Sequence, residues 1–156
     1  MMNRGLSTLS AGLLATAAMT AFSYSLSAVT GRNYREPDLL ARILRTEDTD
    51  HPFAGWLMHA ALGSAWAPVE LPYLEKAHRD LLKPVLALLS GAAAILTWEL
   101  LFRGSGYRGY RRRFLLHLIP AHFVYTYALK VAGGLLAPHD SGSETQALAA
   151  SNSSSG

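Results

Sequence analysis

The chain has 156 residues and a formal net charge of +3, and 50% of it is hydrophobic while only 16% is charged. Soluble domains carry about 25% charged residues, so this deficit excludes an ordinary water-surrounded fold and calls for an apolar solvent. Cysteine is absent, which excludes a disulfide framework, a thiolate metal site and a cysteine nucleophile, and the length is that of one domain.

The charges are bunched, and the intervals between them read as four membrane spans. From Gly5 to Gly31 there is no charge at all, enough for the roughly 20 residues that cross a bilayer, and the first span is predicted over residues 5–29. A cleaved secretory signal is the other reading of this stretch, with Arg4 before it and Ser25 and Ser27 as small residues near a cut. Thr8, Thr16 and Thr20 interrupt the apolar run and favour a retained span. Thr8, Gly12, Thr16, Thr20, Ser23 and Ser27 follow at helical intervals, one stripe of small and hydroxyl residues. Such a stripe is a packing seam, because in lipid helices associate through close backbone approach and hydrogen bonds.

The first loop contains "REPDLLARILR", with Pro37 where a helix begins, Asp38 in its first turn, and Leu39, Leu40, Ile43 and Leu44 opposite Arg42 and Arg45. A short amphipathic helix lying on the cytoplasmic face is predicted. The acidic "TEDTDH" that follows reads as a solvated connector, because it lacks the glycine and spaced ligands of a calcium loop.

The second span is predicted over residues 52–71, with Pro68 and Pro72 disturbing its outer end. Its stripe holds Gly55, His59 and Gly63 and continues through Trp66 to Glu70, which puts the histidine on the packed face. The third span, 84–102, carries a single charge, Glu99, placed four residues before Arg103 in the favourable order for a helical ion pair.

The third loop, "RGSGYRGYRRR", joins a basic cluster to Tyr107 and Tyr110 and is expected to contact anionic lipid headgroups through Arg108, Arg111, Arg112 and Arg113. A nucleic-acid role does not suit a short loop between two spans. The fourth span, 114–137, brings His117 and His122, which lie on different faces; His122 shares its face with Thr126 and Lys130, and Lys130 is close enough to the outer surface to snorkel. Residues 139–156 are rich in Ser, Gly and Ala and are expected to be disordered.

Lys and Arg concentrate in the first and third loops, so these are expected inside the cytoplasm and both termini outside it. At about 1.5 Å per residue, His59, His117, His122 and Glu99 then lie roughly 5 to 12 Å deep in one half of the membrane. Ionisable groups inside spans are functional-site candidates by default. Each also has a structural reading: Glu99 in its ion pair, His117 at the interface, and His59 and His122 in interhelical hydrogen bonds.

The segments "GWLMH", "SGAAAILTWELLF" and "LLHLIPAHFVY" resemble a set of small four-helix inner-membrane proteins of bacteria, over about residues 5 to 136. The resemblance implies the four-span fold and brings no activity to these positions; the Pro-rich "APVELP" departs from it. Three functions remain. One is a non-enzymatic accessory or structural subunit of a larger membrane complex, or a homo-oligomer, packed through Gly12, Thr16, Thr20, Gly55 and Gly63. The second is a haem b or metal protein ligated by His59 and His122, with Glu99 and His117 as lesser candidates. The third is a small proton-coupled transporter relaying through His59, Glu99 and His122. No serine elbow, paired catalytic carboxylate, "HExxH" or phosphate-binding glycine loop is present, so catalysis is not expected. An all-α membrane four-helix bundle acting as an accessory subunit is the leading expectation.

Overall fold

The computed structural model describes residues 3–43, 53–76, 81–105 and 111–137. These are all-α: α1 (Arg4–Thr30), α2 (Glu36–Ile43), α3 (Phe53–Lys76), α4 (Leu82–Ser105) and α5 (Arg111–Leu136). The acidic connector after the first loop helix, the centre of the basic third loop with Arg108, and residues 139–156 lie outside the described residues.

Three helices, α1, α4 and α5, are long and apolar enough to cross a membrane. The second expected span, α3, is not among them. It has the length, at 24 residues, but His59, Pro68, Glu70, Pro72, Glu75 and Lys76 dilute its hydropathy. The two prolines do not end it, and both sit inside the helix, which runs past the predicted boundary at Leu71 to Lys76.

Helix α1 starts where the side chain of Asn3 accepts a hydrogen bond from Gly5 N at 3.0 Å, and it stops at Gly31, whose φ of 64° is the left-handed cap that glycine adopts without strain. Around the bundle the order is α3, α1, α5, α4: α1 packs along both α3 and α5, α5 packs along α4, and α3 and α4 barely meet.

The α1–α3 contact is made by the small residues. A Cβ on Gly12 would lie 2.7 Å from Ala67 Cβ and 2.9 Å from Ser64 Cα, and one on Gly63 would run into the Thr16 side chain. One apolar cluster fills the space between α1, α3 and α5 with Ala11, Ala15, Ala67, Leu74, Tyr125 and Leu129. A second joins α2 to the ends of α4 and α5 through Leu39, Leu40, Trp98, Phe102, Phe114 and Leu118.

Helix α2 corrects the expectation of a helix lying on the membrane face. Glu36, Pro37, Leu39 and Leu40 are buried, and α2 is seated against α3 where Gly55 leaves room for it. A Cβ at Gly55 would overlap the Pro37 carbonyl and stand 2.8 Å from Ala41 N. The apolar side of α2 is covered by protein, and only Arg42 on the other side is exposed.

Candidate functional site

The polar interior begins with α1. Thr16, Thr20 and Ser27 each give their hydroxyl hydrogen to the carbonyl four residues earlier, at 2.8, 2.8 and 2.7 Å. That leaves a row of bare hydroxyl oxygens facing the neighbouring helices. Ser27 accepts from Tyr34 N at 3.0 Å and so ties down the first loop. Thr20 meets His59 Nε2 at 3.0 Å; since the threonine hydrogen is already on Thr16 O, the imidazole donates, and His59 Nδ1 carries the lone pair.

Ser23 stands at the centre of a second group. Its hydroxyl lies 2.7 Å from Glu36 Oε1, 2.9 Å from His117 Nε2 and 3.1 Å from Met19 O. The shortest contact takes the single hydrogen to Glu36, and the serine oxygen accepts from the imidazole. His117 is stacked beside Tyr34 and Phe22, with ring centroids 4.8 and 6.1 Å away. It is 5% exposed, which corrects the expectation of an interfacial residue: α2 and Tyr34 close over the end of the bundle that the linear depth count left open. Glu36 Oε2 and His117 Nδ1 are buried without a partner among the described residues.

Burial pushes the Glu36 carboxyl up from its ordinary 4.5 to about 8. The folded chain then keeps a proton that the unfolded chain releases, so this group's contribution to stability is whole below about 4.5 and is lost as pH rises through about 8. Thermal midpoints in detergent are therefore expected to fall between these two values, and Glu36→Gln, with Ser23 and His117 unchanged around it, is expected to flatten the decline. An equally steep profile in the variant would refute the assignment.

His59 and His122 line one cavity of about 140 Å³, together with Trp66, Ser90, Trp98 and Tyr125, and with Glu36 at one end. His122 Nδ1 lies 2.9 Å from Leu118 O. A nitrogen facing a carbonyl must carry hydrogen, so Nε2 is the lone-pair nitrogen. The residues do not fit a haem. The space is on the scale of a single benzene ring, and His59 Nε2 is engaged by Thr20. Among the described residues no group of three His, Asp or Glu is placed to hold a metal ion.

The far end of the cavity is closed by a node that the sequence reading did not single out as a site. Trp66 Nε1 donates to Glu70 Oε2 at 3.0 Å and to Ser90 Oγ at 2.9 Å, and Thr126 Oγ1 donates to Glu70 Oε1, so the carboxylate ties α3 to α5 while the indole beside it ties α3 to α4. Beside it Tyr125 donates to Gly63 O at 2.6 Å, and one turn on, Lys130 Nζ reaches Leu74 O at 2.9 Å. Lys130, expected to snorkel outward, is half-buried and ends on the carbonyl of Leu74, two residues before the end of α3. The signal for Glu70 was its place on the stripe of Gly55, His59 and Gly63; Glu36 had none, as it sits just outside the predicted helix start.

Glu99 lies apart from the imidazoles. It pairs with Arg103 at 3.3 Å and with Arg111 across the α4–α5 turn. Arg112 and Arg113 are exposed at the same end. Comparison with known protein families, curated proteins and solved structures finds no match to this chain.

Proposed function

We propose that the protein is a non-enzymatic, four-span integral membrane protein of the bacterial inner membrane, serving as an accessory or structural subunit of a larger membrane assembly. The observation that carries this reading is the use of the interior polar groups. Glu70, Tyr125, Lys130 and His59 each bind another helix, and His59 turns its N–H, not its lone pair, to the Thr20 hydroxyl. Outward, Leu9, Leu13, Leu62, Leu89, Leu96, Leu116 and Val131 cover all four long helices with apolar surface, which suits lipid or a neighbouring span.

As the fourth span, α3 runs 24 residues, or about 36 Å at 1.5 Å per residue, more than the roughly 30 Å of hydrocarbon. Its interior carboxylate, Glu70, is turned away from lipid. Arg42, Arg103, Arg111, Arg112 and Arg113 fall at the end holding the first and third loops, which the positive-inside rule places in the cytoplasm.

Topology is testable because the chain has no cysteine of its own. Single cysteines at Leu81 and Arg42 are expected to react with a membrane-impermeant maleimide from the outer face and only after permeabilisation, respectively. Reaction of both from one side would remove α3 as a span. The subunit reading is tested by purification in mild detergent with native mass spectrometry, where the chain is expected to elute with larger membrane subunits. Elution as a lone chain would overturn it.

A further inference from the structure

We propose that the cavity between α3 and α4 is a binding site for the hydroxylated aromatic ring of a lipid-soluble molecule, a hydroquinone-class headgroup entering sideways from the bilayer. This goes beyond the subunit reading and rests only on the four-span membrane placement proposed above. Position, size and hydrogen-bond polarity of the cavity together select this ligand.

Position comes from the sparse contact between α3 and α4, which meet through the Trp66–Ser90 bond and little else. Leu62 and Trp66 on one side and Thr97 on the other are partly exposed rim residues near the middle of their helices. The mouth therefore opens at mid-span, toward what would be hydrocarbon, and not at an end of the bundle. A molecule arriving by that route is neutral, because a charged headgroup is expensive at that depth, and it has an apolar tail that can remain outside the rim.

Size follows from the volume of about 140 Å³, close to the roughly 150 Å³ that holds a benzene ring in an apolar protein cavity. Trp98 and Tyr125 on the walls, with Trp66 at the mouth, offer aromatic surface to a flat ring.

Polarity decides which ring. His59 donates through Nε2 and His122 through Nδ1, so the two remaining nitrogens, His59 Nδ1 and His122 Nε2, are both acceptors, and no described residue meets either. Glu36 also lines this space, but its Oε2 is buried within the protein and offers a ring no contact. A carbonyl-only ring would face two lone pairs. A ring with hydroxyl groups satisfies them, so a hydroquinone is preferred over its quinone and over an ether.

The test uses the full chain in mild detergent, with a decyl-tailed dimethoxy-methyl hydroquinone held reduced and its dimethyl ether as the donor-free control, read by equilibrium dialysis. The hydroquinone is expected to bind at least about tenfold more tightly than the ether, a difference of about 1.4 kcal/mol. Ala93→Phe, which fills the cavity from α4, and His122→Leu, whose lost bond lies within α5, are expected to weaken hydroquinone binding by a similar factor while keeping the wild-type elution profile. His59 is left intact because its substitution also cuts the bond to Thr20. Equal binding of hydroquinone and ether, unchanged binding in a folded Ala93→Phe chain, or no binding by the folded wild type would each overturn the proposal. If Ala93→Phe does not fold, the ether comparison and His122→Leu decide.

Discussion

Gly12→Leu is expected to prevent the bundle from assembling, seen as loss of the monodisperse peak in detergent and of a cooperative thermal transition. The reason is the identity of the atoms that a side chain at this position would meet. Its Cβ alone would stand 2.7 Å from Ala67 Cβ, 2.9 Å from Ser64 Cα and 3.1 Å from Gly63 O. Two of those three are backbone of α3 and cannot rotate away, so α1 and α3 must separate. Separation also stretches the 3.0 Å contact between Thr20 and His59 and moves Gly63 off Thr16. Overpacking of a tight contact costs about 1–3 kcal/mol, occasionally more, and here the lost hydrogen bond adds about 1 kcal/mol. Gly134→Leu is the control, since nothing lies within 4 Å of a Cβ there, and it is expected to behave as wild type. A Gly12→Leu chain that melts like the control would show that α1 and α3 do not meet as described.

The α1 seam was legible because small residues repeating at helical spacing have few uses in an apolar helix, and the period shows the face without naming the partner. The Glu99–Arg103 pair was legible for the same local reason, four residues along one helix. Arg111, which adds the stronger contact to Glu99, comes from the next helix and leaves no trace in local spacing. The misreadings share that cause. Helix α2 has an amphipathic pattern that suits a membrane surface equally well; what buries it is Gly55, a residue beyond the loop that makes room for the Pro37 carbonyl. Once α2 is inside, Glu36 meets Ser23 and His117 becomes interior. The shared face of His122, Thr126 and Lys130 was read correctly from the helical period, yet the period could not tell that Thr126 would find Glu70 and Lys130 would find Leu74.

The node at Glu70 leads to the second large expectation, that Glu70→Ala lowers the thermal midpoint by several degrees or more. Glu70 is 4% exposed and Thr126 is 0% exposed, so the substitution leaves a buried hydroxyl with its partner gone and a void where the carboxylate stood. A stranded buried donor costs about 1–3 kcal/mol, and the cavity adds to this. Trp66 keeps its bond to Ser90 at 2.9 Å, so the tie between α3 and α4 survives while the tie from α3 to α5 through Thr126 does not. Replacing both partners separates the two contributions. Glu70→Leu with Thr126→Val removes the donor along with the acceptor and refills the volume, and an apolar pair of similar shape can equal or exceed a buried polar one in stability. The double variant is therefore expected to recover most of the loss, while Glu70→Leu alone, with Thr126 still unpaired, is expected to stay low. If Glu70→Ala melted at the wild-type midpoint, the carboxylate would not be the tie between α3 and α5. If the double variant were as weak as Glu70→Ala, the loss would come from shape and not from the stranded hydroxyl. Recovery in the double variant alone would show that Glu70 is tolerated in the bundle because Thr126 and Trp66 meet it, and that its burial is a feature of which helices pair.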